Sequence, residues 1–366
     1  MSASLPRETD VIVIGGGVIG LSIARELAPR KSVLLLDRGP TGNGTTWAAA
    51  GMLSPLSEAN NDGPFFQLCS RSFSLYEEFV RGLVEETGID CGYSDNEGVL
   101  TLATTEEGAS TLQCRAAWQQ KAGFEAELIS GDDVRKLEPL VTAPVQKALF
   151  TPRERSVAPR RLVNAIRESC LNRGVNIETG VTVESISSNS VRVGHMDFAA
   201  SNIVVASGVW SSEVKGLDPM IPVEPRKGQI LSLATPSQPF KRMIRWQHTY
   251  FVPRGSGEMI VGATEENVGF DRSNTPAGIG QLLTEAQQIS SHVGTYPILE
   301  MWSGLRPATP DHLPIIGPST IPGVFYATGH YRNGILLAPV TASIIAELIE
   351  NGKTSGAIES FLPSRF

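Results

Sequence analysis

Residues 11–14, Val-Ile-Val-Ile, form a short apolar run of β-branched side chains with no polar alternation. Such a run reads as a parallel strand buried on both faces. Glycines follow at 15, 16, 17 and 20. Val18–Leu27 then shows helical spacing, with Ile19, Ser22, Ile23 and Leu27 on one side. Residues 32–36 are a second apolar strand that ends at Asp37. The three elements make a strand–turn–helix–strand unit of about 30 residues, the size of a βαβ unit.

The pattern changes further along. Residues 65–87 predict a long helix with Phe66, Cys69, Phe73, Leu75, Phe79 and Leu83 near one face. Residues 92–104 alternate and end as a strand, 105–123 read as a polar helix, and 161–173 as an amphipathic helix. Strands follow at 175–179 and 182–187, and 202–206 is a third buried apolar strand. Residues 228–233, 250–253 and 259–262 predict strands of a second sheet, and 279–293 a helix. An apolar helix over 335–351 ends before Gly352, a suitable C-terminal cap. Buried parallel strands thus occur near both ends and in the middle. The expected class is α/β: a discontinuous Rossmann-like dinucleotide domain (1–85, 150–212, 300–366) with an inserted α+β domain on an antiparallel sheet (86–149, 213–299).

The length of 366 residues independently favours two domains. A net charge of −7, with no long basic run, argues against nucleic acid or an anionic membrane as partner. The four cysteines, Cys69, Cys91, Cys114 and Cys170, form no C-x-x-C pair or zinc-ligand spacing. They read as reduced thiols, which suggests a cytoplasmic protein without a metal site. The stretch 1–10 is polar and lacks a signal-peptide pattern. The apolar run 11–24 is shorter than the roughly 20 residues of a membrane span, and no other span is evident.

Gly15-Gly16-Gly17-Val18-Ile19-Gly20 fits G-x-G-x-x-G in its full context: after a buried strand, opening a helix, with Asp37 closing the next strand about 20 residues on. Gly15 permits the tight turn, Gly17 lets backbone approach a pyrophosphate, and Gly20 lets helix pack on strand. The helix N-terminus offers unpaired N–H groups to phosphate, and Asp37 offers a ribose acceptor. The fingerprint by itself does not separate nicotinamide from flavin dinucleotides. The small, uncharged run from Gly44 to Leu53 suits a loop lying flush against an extended ligand, and equally an ordinary loop.

Together, residues 15–20, Asp37 and the run Thr45-Thr46-Trp47-Ala48-Ala49-Ala50-Gly51-Met52 resemble the D-amino-acid oxidase family of flavoproteins, in particular its glycine oxidase branch associated with thiamine biosynthesis. Val204-Val205-Ala206-Ser207-Gly208-Val209-Trp210-Ser211 is similar to a second flavin-site turn of that family. Trp302-Ser303-Gly304-Leu305-Arg306-Pro307 resembles its substrate-arginine motif, and Gly329-His330-Tyr331-Arg332-Asn333-Gly334-Ile335-Leu336-Leu337-Ala338-Pro339 its glycine oxidase-like segment. The resemblance implies FAD, held by Gly15, Gly17, Val18, Ile19, Gly20, Asp37 and Arg38. To these it adds Thr45, Thr46, Ala49, Ala50, Gly51 and Met52 from the small-residue run, Val183, and Ala206, Gly208 and Trp210. At the C-terminal motif it implies His330, Arg332, Asn333, Gly334, Ile335 and Leu336.

The resemblance further implies oxidative deamination of glycine, sarcosine or small D-amino acids by hydride transfer to flavin. The products would be an imine and then an oxo acid, ammonia and, with oxygen as acceptor, hydrogen peroxide. A role in thiamine thiazole synthesis and a homotetramer are also implied. A related D-amino-acid or N-methyl-amino-acid dehydrogenase with another acceptor is the alternative. A non-catalytic flavin subunit and a nicotinamide-only dehydrogenase are the rivals from other classes.

A desolvated substrate carboxylate needs a cation of matching geometry, which arginine's fork provides. Arg306 is the candidate; the competing role is a structural ion pair. Tyr250 would donate a second hydrogen bond to the carboxylate, or serve as a core tyrosine. His248, two residues away on the same alternating strand, would share its face. Glu265 stands where some relatives of this type carry an apolar residue, and would either attract the substrate ammonium or point to solvent. Arg332 would anchor its loop or reach the substrate. The helix starting near Ile335 would aim N–H groups at charge on the flavin, with Gly334 allowing close approach and Pro339 in the first turn.

Overall fold

The computed structural model describes residues 8–93, 97–235 and 239–366. Most of the N-terminal stretch read as polar, residues 1–7, lies outside them, as do residues 94–96 of the stretch 92–104.

Glu8–Ile14 is central in the first sheet. It runs parallel to Val33–Asp37 on one side and to Met196–Val205 on the other. Val324–Thr328 and Asn176–Thr179 extend the sheet in parallel on either flank, and Ile315–Pro318 closes one edge antiparallel. The uninterrupted apolar run now has its reason. Val11 and Val13 face a core shared with the helices Val18–Leu27, Pro64–Thr87, Pro159–Asn172 and Gly334–Asn351. Ile12 and Ile14 face a second core on the opposite side, with Val191, Phe198 and Val205. Each such side chain contributes about 1.5–3 kcal/mol by leaving water, and period-2 alternation would expose half of them.

The second sheet pairs Ile298–Ala308, Glu224–Ala234, Glu258–Gly262, Thr249–Arg254 and Met243–Trp246 in antiparallel order. It continues through Val99–Ala103, which is parallel to Met243–Trp246, to Lys147–Thr151 and Glu127–Ser130. The Pro276–Ile289 helix covers one face. Its strands come from 99–151 and 224–308, so the boundary drawn at 300 cuts through Ile298–Ala308, a strand that pairs along its length inside the second sheet.

Four local readings need correction. Of residues 182–187, only Ser185–Ile186 pairs as strand, because 181–184 bend away to line a cavity. The helix read as 279–293 begins at Pro276, where the Thr275 side chain accepts from Gly278 N–H. It stops at Ile289 and is followed by a separate 3-10 turn. That Thr-Pro start is a helix signal. His248 lies in the turn before Thr249–Arg254 and is exposed, so it does not share the Tyr250 strand. Pro339 is the sixth residue of the Gly334–Asn351 helix and lies in its interior, beyond the first turn.

Proline there cannot donate to the Ile335 carbonyl four residues earlier. The long Pro64–Thr87 helix repairs the defect. Tyr76 hydroxyl donates to the Ile335 carbonyl at 3.0 Å, and Ser72 hydroxyl donates to the Leu336 carbonyl at 2.6 Å while accepting from Val340 N–H. Gly334–Asn351 is apolar and long enough to cross a membrane, yet it is packed against Val18–Leu27 and Pro64–Thr87 within the core. Tyr76→Phe should leave the Ile335 carbonyl buried and unpaired, costing about 1–3 kcal/mol. A urea midpoint equal to that of the parent protein would show that the hydroxyl is dispensable.

Candidate active site

The carboxyl ends of the first sheet open onto an elongated cavity of about 570 Å³. Its start is the first turn. A Cβ on Gly15 would stand 2.5 Å from the Ala206 carbonyl oxygen, and one on Gly20 only 1.9 Å from the Gly15 carbonyl oxygen. Any side chain at either position would push strand, turn and helix apart. Gly15 also has a φ of 109°, which favours glycine. Gly17 caps the helix without a side-chain bond and lines the cavity with Val18 and Ile19. Val18 N–H is held by Thr46 hydroxyl at 3.0 Å. The Ile19 N–H, at the cavity wall, remains among the helix's unpaired N-terminal donors, as a phosphate site requires.

Asp37 accepts from Gly39 N–H at 2.7 Å and from Gly16 N–H. Burial pushes its carboxyl pKa up, against the pull of those two donors. Arg38 lies over the Trp210 ring, 3.6 Å from its centre, and Phe270 stacks on Trp210 from a neighbouring loop. Thr45, Thr46, Ala49, Val183, Ala206 and Gly208 line the middle of this cavity. His330, Arg332, Gly334 and Ile335 line it as well. His330 is buried, and burial drives its pKa down to about 3; Nε2 meets Thr341 hydroxyl at 3.0 Å. It is therefore a neutral ring. Gly20 and Leu336 do not line the cavity. Gly20 packs helix on strand, and the Leu336 side chain lies in the core behind.

A second cavity of about 120 Å³ adjoins the first, sharing Thr45, Ala49, Tyr331, Arg332 and Ile335 with it. Ala50, Gly51, Met52, His248, Tyr250, Glu265, Arg306 and Asn333 complete much of its wall. The second sheet makes room for the polar groups with glycines. A Cβ on Gly228 would be 2.3 Å from Arg306 Nη2, and one on Gly262, opposite Tyr250, would be 2.5 Å from the Tyr250 hydroxyl. Arg306 Nη1 donates to the Thr264 carbonyl at 3.1 Å and the Lys227 carbonyl at 3.4 Å. Among the described residues no carboxylate lies within ion-pair distance of it, so the structural-pair role has no partner there. Burial raises the Tyr250 phenol pKa, keeping it a neutral donor.

Sequence reading overlooked several wall residues. Glu58 and Arg245 face this cavity, as Arg272 faces the larger one. Arg245 donates to Glu58 Oε1 at 2.6 Å, and Arg332 lies 3.6 Å from the same oxygen. Burial alone would raise the Glu58 pKa, but Arg245 and then Arg332 hold it at about 2. The Glu58 carboxylate in turn raises the Arg332 pKa. Glu265 is exposed at the rim; burial would raise its pKa, yet Tyr331 hydroxyl, then Arg306 and Arg332, hold it below the usual range. Glu58 and Arg245 are 187 residues apart and carry no local motif; only proximity in the fold reveals the pair.

The family model described as FAD dependent oxidoreductase matches residues 10–348. The chain belongs to this family. This FAD-dependent oxidoreductase is 38% identical over 374 residues to the bifunctional protein ThiO/ThiG of Nostoc sp., covering 97% of the chain and 55% of the relative. It thus spans about half the length of such bifunctional relatives. It is 32% identical to the glycine oxidase of Geobacillus kaustophilus, covering 97% of each. The crystal structure of glycine oxidase from that organism superposes with a TM-score of 0.94 at 31% identity, over 98% of this chain and 99% of the other. FAD is the cofactor of this oxidoreductase, and the cradle at Gly15, Gly17 and Gly20, with free helix N–H groups and Asp37 beyond, fits it.

The neutral state of His330 has a pH signature. A histidine kept neutral by folding titrates near 6.5 when unfolded, so between that value and about 3 the unfolded chain binds the extra proton. Stability from this residue is intact above the unfolded pKa and falls as pH drops below it, by about 1.4 kcal/mol per unit at most. His330→Gln should lose that component. The stability difference between parent and variant, followed by urea unfolding from pH 7 to 5, should tilt against the parent on acidification; parallel curves would refute a buried neutral ring.

Proposed function

We propose that this oxidoreductase oxidises the amine of a small amino acid, glycine or sarcosine foremost and small D-amino acids besides, with oxygen as acceptor. The observation that carries the reading is Arg306: a guanidinium oriented by two carbonyls, with no carboxylate among the described residues within ion-pair distance, in a cavity of about 120 Å³ that shares a wall with the cofactor cavity. A carboxylate seated there would gain a charge-assisted, bidentate contact, and Tyr250 would add a neutral donor. The volume suits a small amino acid.

Bound FAD would supply the two-electron acceptor for the hydride of that carbon. The chain's part is orientation and charge. Arg306 and Tyr250 fix the carboxylate end, so the amine-bearing carbon is directed to the junction at Ala49 and Ile335. The Gly334–Asn351 helix begins at this junction and presents its positive end to negative charge there. The amine must be neutral when its lone pair enters the C=N bond. Arg332, paired with Glu58, keeps positive charge nearby and favours loss of the amine proton. Hydrolysis of the imine would release an oxo acid with ammonia, or with methylamine where the substrate is sarcosine, and reoxidation by oxygen would release hydrogen peroxide. Similarity to glycine oxidases and to ThiO/ThiG proteins supports this chemistry, and supports a place in thiamine thiazole synthesis.

Peroxide release by the flavin-loaded protein in air should follow addition of glycine or sarcosine. In Arg306→Ala, kcat/KM should fall by about two orders of magnitude, equivalent to losing about 3 kcal/mol of a desolvated charge contact, with flavin content unchanged. Unaltered glycine kinetics would remove Arg306 from the site. Flavin bleaching without peroxide in the parent protein would replace oxygen by another acceptor.

A further inference from the structure

The smaller cavity holds more charge than one amino-acid carboxylate needs. Three guanidiniums line it, from Arg245, Arg306 and Arg332, against the two carboxylates of Glu58 and Glu265. The described wall therefore carries one net positive charge, matched by one substrate carboxylate with a neutral amine. The distribution matters more than the total. Arg306 has carbonyl partners only. Arg245 and Arg332 converge on a single oxygen, Glu58 Oε1, at 2.6 and 3.6 Å.

Two guanidiniums aimed at one point are a seat for a carboxylate, and here the protein fills it with its own. Glu58 belongs to the short Pro55–Glu58 helical turn, which is pinned from behind. Ser57 N–H and hydroxyl both bond the buried Glu154 carboxylate, at 3.0 and 2.6 Å, and Gln119 donates to the Leu56 carbonyl at 2.8 Å. Glu58 is thus held by a buried polar framework, with little freedom to swing aside. A ligand with a second carboxylate would have to displace a fixed anion or lie unpaired beside it, and an unpaired buried charge is expensive.

We propose that Glu58 determines specificity, restricting this cavity to substrates with a single carboxylate by occupying the seat that Arg245 and Arg332 would offer to a second one. The inference rests on Arg306 as the carboxylate seat of the proposed reaction. Repulsion of the wrong ligand is a common source of discrimination, and Glu58 supplies it while offsetting half of the positive charge of the two arginines.

The test is equilibrium binding of unreactive ligands to the flavin-loaded protein, read from the visible spectrum of the bound flavin and from calorimetry. Acetate probes one carboxylate seat and malonate two. The parent protein should bind acetate and discriminate against malonate. Glu58→Gln keeps the shape, removes the charge, and should raise the malonate-to-acetate affinity ratio at least about tenfold. The activity ratio of iminodiacetate to glycine should rise in parallel. Should Glu58→Gln fail to load flavin, Arg245→Gln decides. With Glu58 then left to Arg332 alone, the malonate-to-acetate ratio should fall by about tenfold.

An unchanged ratio in a variant that still binds acetate would overturn the role of Glu58 and leave Arg306 standing. Failure of acetate to bind the parent protein would overturn both the Arg306 seat and the inference built on it.

Discussion

Everything at the cofactor end depends on backbone touching backbone at one place. Glu8–Ile14 turns at Gly15 beneath the Ala206 carbonyl, and the following helix starts so close that Gly20 lies against the Gly15 carbonyl. The contact has no slack for a methyl group. It aligns the N-terminus of Val18–Leu27 with the carboxyl ends of the parallel strands, where Asp37 and Gly208 also emerge. Because both faces of this sheet are packed, the geometry is rigid where the ligand meets it. A polar ligand then meets preorganised donors, so little ordering energy is lost on binding.

The second sheet solves a different problem, which is keeping cations beside one another in a small space. Strand pairing places Arg245 opposite Tyr250 and Tyr250 opposite Gly262, while Gly228 clears a path for Arg306. The charges are compensated unevenly. Glu58 is shared by Arg245 and Arg332, Glu265 sits at the rim, and Arg306 is left with carbonyls. Desolvation makes the pairing at Glu58 costly to reverse. Where the two cavities meet, the Gly334–Asn351 helix has an interior proline, and the hydroxyls of Tyr76 and Ser72 from a neighbouring helix satisfy the groups it disturbs. The positive end of that helix is thus held in register by a contact about 260 residues distant in sequence.

The amino-acid sequence by itself determined the local elements with strong periodicity and the dinucleotide fingerprint. A doubly packed strand leaves an unbroken apolar run, a tight turn needs glycine, and an acceptor must close the next strand; each is a local demand on residue type. The segment around Arg306, Trp302 to Pro307, was singled out by its resemblance to the family's substrate-arginine motif. Tertiary structure alone decided what those motifs enclose. His248 left the Tyr250 strand because the chain turns at Gln247, which has a positive φ. Leu336 lies wholly in the core, whereas its neighbour Ile335 touches both the core and the cavity wall. Above all, Glu58 met Arg245 and Arg332 across sequence distances that no periodicity records. Charge pairing depends on separation in space, and the two sheets set that separation only once they are packed together.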